Sequence, residues 1–304
     1  MSFRGITKAS RRLLGWIAII FCSLIIRFIP YSLISCLSKI IAELGYYLAG
    51  RHRKIALESL KIAFGKEKGF SEIKRIAKKS FRLMAQNGLE FLFLIQNPKL
   101  IRSKVSFEGK EHLEKALAKG RGVILLTAHF GNFPLMMARL SLEGYPIYGI
   151  MRRMRDERTE KLFYSKRTHL GINTIYSKPA KICVEKSLRV LREKKLLCIQ
   201  LDQNFGTAGI FVDFFKRKAA TATGPVVLAL RTKASILPCF ILHNQDSTYR
   251  IVFEPEYKIK LTNNFSEAVL INIQELTSLI ESYIRRYPEE WSWIHRRWKT
   301  QPSQ

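Results

Sequence analysis

The chain reads as an α/β protein with an at least partly parallel sheet, and three observations predict it. Apolar strand-like runs alternate with helical stretches across residues 104–257, the pattern of strands joined by helical crossovers. Val123 to Leu126 form an unbroken apolar run, which suits a strand covered on both faces. The 304 residues contain no low-complexity stretch, so the chain is expected to form one compact body with an N-terminal appendage.

The appendage is residues 1–50, a helical segment set apart from an α/β domain at 51–304. Arg4, Lys8, Arg11 and Arg12 precede an apolar run from Leu13 to Ile26. A spanning helix needs about 20 apolar residues. This run therefore lies in the membrane interface, spans by drawing in Phe28 and Ile29 with Arg27 snorkelling, or packs as a buried core helix, with membrane anchoring the preferred reading. No small-residue site closes it as a cleavable signal peptide would require, and the basic flank places the N-terminus on the cytoplasmic side. From Arg51 to about Asn97, Ile73, Ile76, Ala77, Leu83 and Met84 recur at helical spacing between basic residues, so one face packs and the other is wet. Pro98 punctuates this region.

Beyond it the period changes. KVSFEG (104–109), GVILLTAH (122–129), YPIYGIM (145–151), KLLCIQLD (195–202), ASILPCFIL (234–242) and YRIVFEPEY (249–257) read as strands. Between them lie helical stretches near Glu111–Ala118, Asn132–Leu142, Asp156–His169 and Ala180–Glu193, and a last helix runs from about Ser266 to Arg286.

Charge restricts the partners. The 52 lysines and arginines exceed the 24 acidic residues to give a formal +28, which predicts an anionic partner: nucleic acid, an anionic membrane or an acidic carrier protein. The charge is spread along the chain with no helix-turn-helix or zinc motif, which argues against nucleic acid. Five cysteines without short paired spacing suggest neither a metal site nor disulfides, and read as small buried hydrophobes in a reducing compartment.

Two segments carry chemistry. In RGVILLTAHFGNFP a buried strand runs into His129, with a helix expected just past Gly131. Open α/β sheets build their sites at the carboxyl ends of strands, and backbone N–H groups near Gly131 and Asn132 would offer a helix N-terminus to an oxyanion. In CIQLDQNFGTAGIFVDFFKRKAATATG, Asp202 ends another apolar strand and would lie beside His129, or serve as a turn or cap residue. Thr221 and Thr223 either cap the helix that follows or contact substrate. The C-terminal block WSWIHRRWKT, with His295, Arg296 and Arg297 among tryptophans, reads as membrane docking or structure, with Glu289 and Glu290 as ionic partners. A hydrolase is the nearest competing chemistry, but the chain holds no Gly-x-Ser-x-Gly elbow.

These blocks resemble the bacterial lipid A biosynthesis (lauroyl/myristoyl) acyltransferases of the lysophospholipid and glycerolphosphate acyltransferase superfamily. The likeness runs over nearly the whole chain: the N-terminal segment, RKIALESLKIAF, the His129 block, GIMRR, LDQNFGTAGIFVDFFKRKAATATG and WSWIHRRWKT. It implies a glycerolphosphate-acyltransferase-like mixed sheet flanked by helices, on the cytoplasmic face of a bacterial inner membrane. It also implies transfer from acyl carrier protein or acyl-CoA to a lipid or glycolipid hydroxyl, with no metal and no cofactor. His129 falls on the family's histidine, but the acidic residue expected five positions on is Pro134. The orienting role passes to Asp202, or the chain is an impaired member that binds or scaffolds lipid. Arg152, in GIMRR, falls where the family carries an arginine suited to a phosphate or to a carrier's phosphopantetheine.

Overall fold

The computed structural model describes residues 3–26 and 28–303; Arg27, and the side chains of Arg4, Lys8, Arg11 and Arg12 on which the anchoring expectation draws, lie outside what it describes. Five helices come first: α1 (Phe3–Ile25), α2 (Tyr31–Leu48), α3 (Gly50–Phe64), α4 (Phe70–Leu94) and α5 (Pro98–Lys104). Pro98 punctuates the chain by opening α5 rather than by ending order, since a proline in a first turn forfeits no hydrogen bond. Strands and helices then alternate through β1 (Val105–Glu108), α6 (Lys110–Ala118), β2 (Val123–Thr127), α7 (Phe133–Leu142), β3 (Ile147–Met151), α8 (Glu157–His169), β4 (Asn173–Tyr176), α9 (Ala180–Arg192) and β5 (Leu196–Gln200). The hairpin β6 (Ile210–Phe214) and β7 (Arg217–Thr221) interrupts the alternation, and α10 (Gly224–Thr232), β8 (Ser235–His243), β9 (Tyr249–Phe253) and α11 (Phe265–Arg286) complete it.

Seven strands form one sheet in the order β1-β9-β8-β2-β5-β3-β4, parallel throughout except for the β8–β9 pair. The strand period of two then sorts β2 between two cores. Ile124 and Leu126 face the layer built by α3, α4, α9, α10 and α11, whereas Val123 and Leu125 face α6 and α7. All four are fully buried, each worth roughly 1.5–3 kcal/mol relative to an exposed side chain. This two-sided burial is why the run lacks any polar alternation. It also makes the end of β2 a fixed platform in the middle of the sheet.

Near the N-terminus, α2 packs along α4, and Ile26 and Ile34 join the second core with Leu89 and Phe93. The outward side of α1 and α2 and the connection between them carries exposed apolar residues: Leu14, Phe21, Phe28, Leu44 and Leu48. Cys22 and Cys36 are also exposed on these helices, which corrects their reading as buried, while Cys198 and Cys239 are buried in the sheet. Burial pushes the Cys198 thiol up to about 12, so it is no nucleophile at neutral pH. Among the described residues no single helix is long and apolar enough to cross a membrane; α2 and α3, bent by 89°, qualify only as a pair.

Candidate active site

Residues Ala128 to Asn132 turn the chain from β2 into α7, and the turn has one obligatory residue. Gly131 adopts φ +55°, and a Cβ there would collide with the Ile241 carbonyl oxygen. Strand β5 pairs directly with β2, and the Leu201 N–H continues the ladder to the Thr127 carbonyl (3.1 Å). Parallel adjacency therefore delivers His129 and Asp202 to the same sheet edge. A third segment closes the edge. Phe130 bridges Trp291, the His129 carbonyl accepts from the Ser292 N–H (3.1 Å), and Gly131 donates to the Glu290 carbonyl (2.9 Å).

Asp202, 1% exposed, accepts three hydrogen bonds. His129 donates its backbone N–H to Oδ2 (2.9 Å), the ring Nδ1 lies 2.9 Å from Oδ1, and Trp291 Nε1 donates to Oδ2 (2.7 Å). Burial alone would raise the carboxyl's pKa. The His129 ring and these donors outweigh it and hold Asp202 below the usual carboxylate range. An ionised carboxylate only accepts, so Nδ1 carries the ring proton and Nε2 keeps a lone pair. That lone pair faces the Gln203 side chain, whose Nε2 lies 3.0 Å away. The amide N–H is thus the donor that this lone pair meets.

The tail supplies the rest of the wall. His295 packs edge-on against His129 with ring centroids 4.9 Å apart, and its Nε2 lies 3.5 Å from the same Gln203 nitrogen. Arg297 is fully buried and donates to the carbonyls of Gln203 (3.1 Å) and Ala220 (2.6 Å) and to Thr221 Oγ1 (2.5 Å). Burial lowers its pKa to about 10 against the opposing pull of Asp202, so the guanidinium stays charged at neutral pH. Trp291, Trp293 and Trp298 are buried too. The WSWIHRRW block is thus an internal clamp rather than a membrane-docking patch. Glu290 pairs with His243 (2.8 Å) and Glu289 with Lys79 (3.9 Å), so neither serves the basic cluster as expected.

Beside His129 opens a groove of about 240 Å³. Ser80, Met84, Asn87, Gly88 and Phe91 of α4 form one wall at helical spacing, and Phe133 and Pro134 of α7 another. A larger cavity of about 370 Å³ lies at the amino ends of β3 and β4 and touches none of the site residues.

The remaining candidates fall in different places. The Gly131 N–H is already donated and so is not free for an oxyanion. Asn132 caps α7 with its side-chain oxygen on the Leu135 N–H and donates to the Asn87 carbonyl (3.2 Å). Thr221 is buried under Arg297, and Thr223 occupies the N-cap position of α10 without a side-chain capping bond. Arg152 is exposed just past β3, at the same sheet edge as His129 but two strands away, about 10 Å at the usual strand spacing. Gln203, Trp291 and His295 are site residues that the sequence does not announce as such. A histidine within a tryptophan-rich block is the one signal, and tryptophan's use at membrane interfaces points away from it.

The model of the bacterial lipid A biosynthesis acyltransferase family matches residues 2–300. The chain is 25% identical over 286 residues to the lipid A biosynthesis palmitoleoyltransferase of Escherichia coli (strain K12), covering 90% of this chain and 87% of that one. It is 24% identical over 294 residues to the lipid A biosynthesis lauroyltransferase of the same strain, covering 95% and 92%. A phosphatidylinositol mannoside acyltransferase of Mycolicibacterium smegmatis is 25% identical over 193 residues, 62% of this chain and 60% of that one.

Proposed function

The chain belongs to the bacterial lipid A biosynthesis acyltransferase family, and from that premise we propose that it transfers a fatty acyl chain from an acyl thioester to a hydroxyl of a lipid A precursor or related glycolipid, with His129 as base. The observation that carries this reading is the buried Asp202 carboxylate on His129 Nδ1, which leaves the Nε2 lone pair to face the exchangeable Gln203 amide beside an apolar groove. The alcohol is a weak nucleophile at neutral pH. His129 Nε2 removes its proton as the oxygen attacks the thioester carbonyl, and Asp202 stabilises the imidazolium that forms. Collapse of the tetrahedral intermediate expels the thiolate, which takes the proton back from His129. The acyl tail occupies the groove between α4 and α7. The donor is acyl carrier protein or acyl-CoA, and the acidic carrier suits a basic chain. Arg152, free of partners among the described residues, binds an anionic group of donor or acceptor.

Residues 1–50 hold the enzyme on the cytoplasmic face of the inner membrane, with the exposed apolar side of α1 and α2 against the acyl layer. A lipid-binding role without catalysis is favoured by Pro134 standing in the family's acidic position, but Asp202 already meets the imidazole's need for an acid. Acyl transfer from a labelled thioester to a lipid acceptor tests the choice. His129→Ala should abolish transfer, and Asp202→Asn should lower it by up to about 10⁴-fold, the cost of losing an orienting carboxylate in a Ser-His-Asp triad. Undiminished transfer by His129→Ala would remove the mechanism. An inactive parent chain with both donors would support the lipid-binding role.

A further inference from the structure

We propose that Gln203 and His295 together supply the N–H groups that hold the oxyanion of the tetrahedral intermediate. The inference rests on the acyl-transfer reading above. Acyl transfer places a negative charge on the former thioester carbonyl oxygen, and a water-poor site needs donors aimed at it before the reaction begins. Several donors around His129 are already committed. Its own N–H goes to Asp202, that of Gly131 to the Glu290 carbonyl, that of Ser292 back to the His129 carbonyl, and the Asn132 side-chain amide to the Asn87 carbonyl.

What lies on the open side of His129 Nε2 is the Gln203 amide at 3.0 Å and, beyond it, His295 Nε2 at 3.5 Å from that amide. Neither interaction is needed to complete the fold's hydrogen bonding. The Gln203 backbone, by contrast, is held: its carbonyl accepts from buried Arg297, which fixes the amide's root while the side chain is free to turn. When an acceptor hydroxyl takes the place of the amide on His129 Nε2, the amide N–H is released beside His295. The reacting carbonyl must sit within reach of that hydroxyl, so its oxygen falls between the two N–H groups.

The charge state of His295 suits the task. Burial, with His129 adding to it and Asp202 opposing, keeps its pKa below the ordinary imidazole value. In the resting geometry the Gln203 amide N–H points at His295 Nε2 as an acceptor. Once the amide turns away, the neutral ring presents its one N–H on Nε2 as the other tautomer, and it does not repel the His129 imidazolium as a second cation would. The proton account is closed without either residue: His129 takes the hydroxyl proton and returns it to the departing sulfur. Carbonyl π electrons move onto oxygen and back. Gln203 and His295 only donate hydrogen bonds.

The test uses the full chain in membranes, with steady-state transfer from a labelled acyl thioester to a lipid acceptor. Gln203→Leu and His295→Leu should each lower kcat by about 10²–10³-fold, the usual cost of one oxyanion donor, with KM for the thioester within a few-fold. His295→Gln keeps an N–H in place and should recover most of the loss. The double leucine variant should lose less than the product of the two single losses, because both act on one oxygen. Thermal unfolding of each variant separates folding from chemistry. The inference is overturned if His295→Leu and Gln203→Leu keep parental kcat, if their losses appear only in KM, or if His295→Gln is as impaired as His295→Leu. Parental activity together with an inactive His129→Ala would then leave the acyl-transfer reading standing, while an active His129→Ala would overturn both.

Discussion

Asp202 is held by three donors from two different parts of the chain, which makes the fully buried Trp291 a measurable member of the candidate site. Trp291→Phe keeps the buried ring and removes only the N–H to Oδ2. A hydrogen bond to a charged group is worth about 1.5–3 kcal/mol, so the variant should unfold that much more easily near pH 7. The pH dependence has a definite sign. A carboxyl whose folded pKa is lowered contributes stability that is present above its unfolded value, about 3.9, and is lost as pH falls through the folded value. The unfolded carboxyl is common to both forms, so the deficit of Trp291→Phe should be full at pH 7 and shrink only as pH falls through the variant's own folded value, which lies between the parent's lowered value and the ordinary carboxylate range. Chemical denaturation of both forms from pH 7 to about pH 2 checks this, and a deficit that stays constant to the lowest pH would make Trp291 a packing residue only. A turnover loss of about tenfold should accompany it, because Asp202 would hold the imidazole with one fixed donor fewer.

The elements show what a sequence can and cannot reveal. Strands β2, β5 and β8 are legible because burial on both faces writes an apolar run, and the helices α6 to α9 because their 3.6-residue period survives. The hairpin β6–β7 is not. Its turn is made by Phe215 and Lys216, both at positive φ, where glycine or asparagine would have announced it. His129 and Asp202 are legible because each closes an apolar strand. Their partners are not, since Gln203 and His295 owe their position to a tail that crosses the sheet edge from more than 90 residues away. Gly88 carries a further message. It lies inside α4, where glycine costs about 1 kcal/mol relative to alanine, yet its φ is ordinary and a Cβ would meet nothing within 4 Å. No backbone need explains it, and the space it leaves belongs to the groove. Gly88→Ala should thus stabilise the protein by about 0.5–1 kcal/mol, while Gly88→Leu should shift preference toward shorter acyl donors. Competition between thioesters of different length, with melting temperatures alongside, reads both effects. Unchanged length preference in Gly88→Leu would place the acyl tail elsewhere.

At the scale of the whole molecule, an excess of positive charge, formally +28, accompanies an apolar surface on α1, α2 and the connection between them, where Phe28 is 87% and Leu48 82% exposed. Positive charge alone would suit any polyanion, and an apolar face alone would suit a protein groove. Together they match an anionic bilayer, which offers both a negative surface and an apolar interior. The two contributions respond differently to salt. Attraction of exposed lysine and arginine to anionic lipid is screened over about 10 Å at 0.1 M, whereas burial of apolar side chains in the acyl layer is not. Co-sedimentation of the full chain with vesicles should therefore be strong on anionic lipid at low salt and weaken as salt rises. It should then level off at a residual binding shared with neutral vesicles. Replacing Phe21, Phe28 and Leu48 together by serine should remove the residual plateau and leave the salt-sensitive part, since none of the three carries charge or packs in either core. Binding that is the same on neutral and anionic vesicles at every salt concentration would assign the positive charge to an acidic protein instead, and the acyl carrier would be the partner to test.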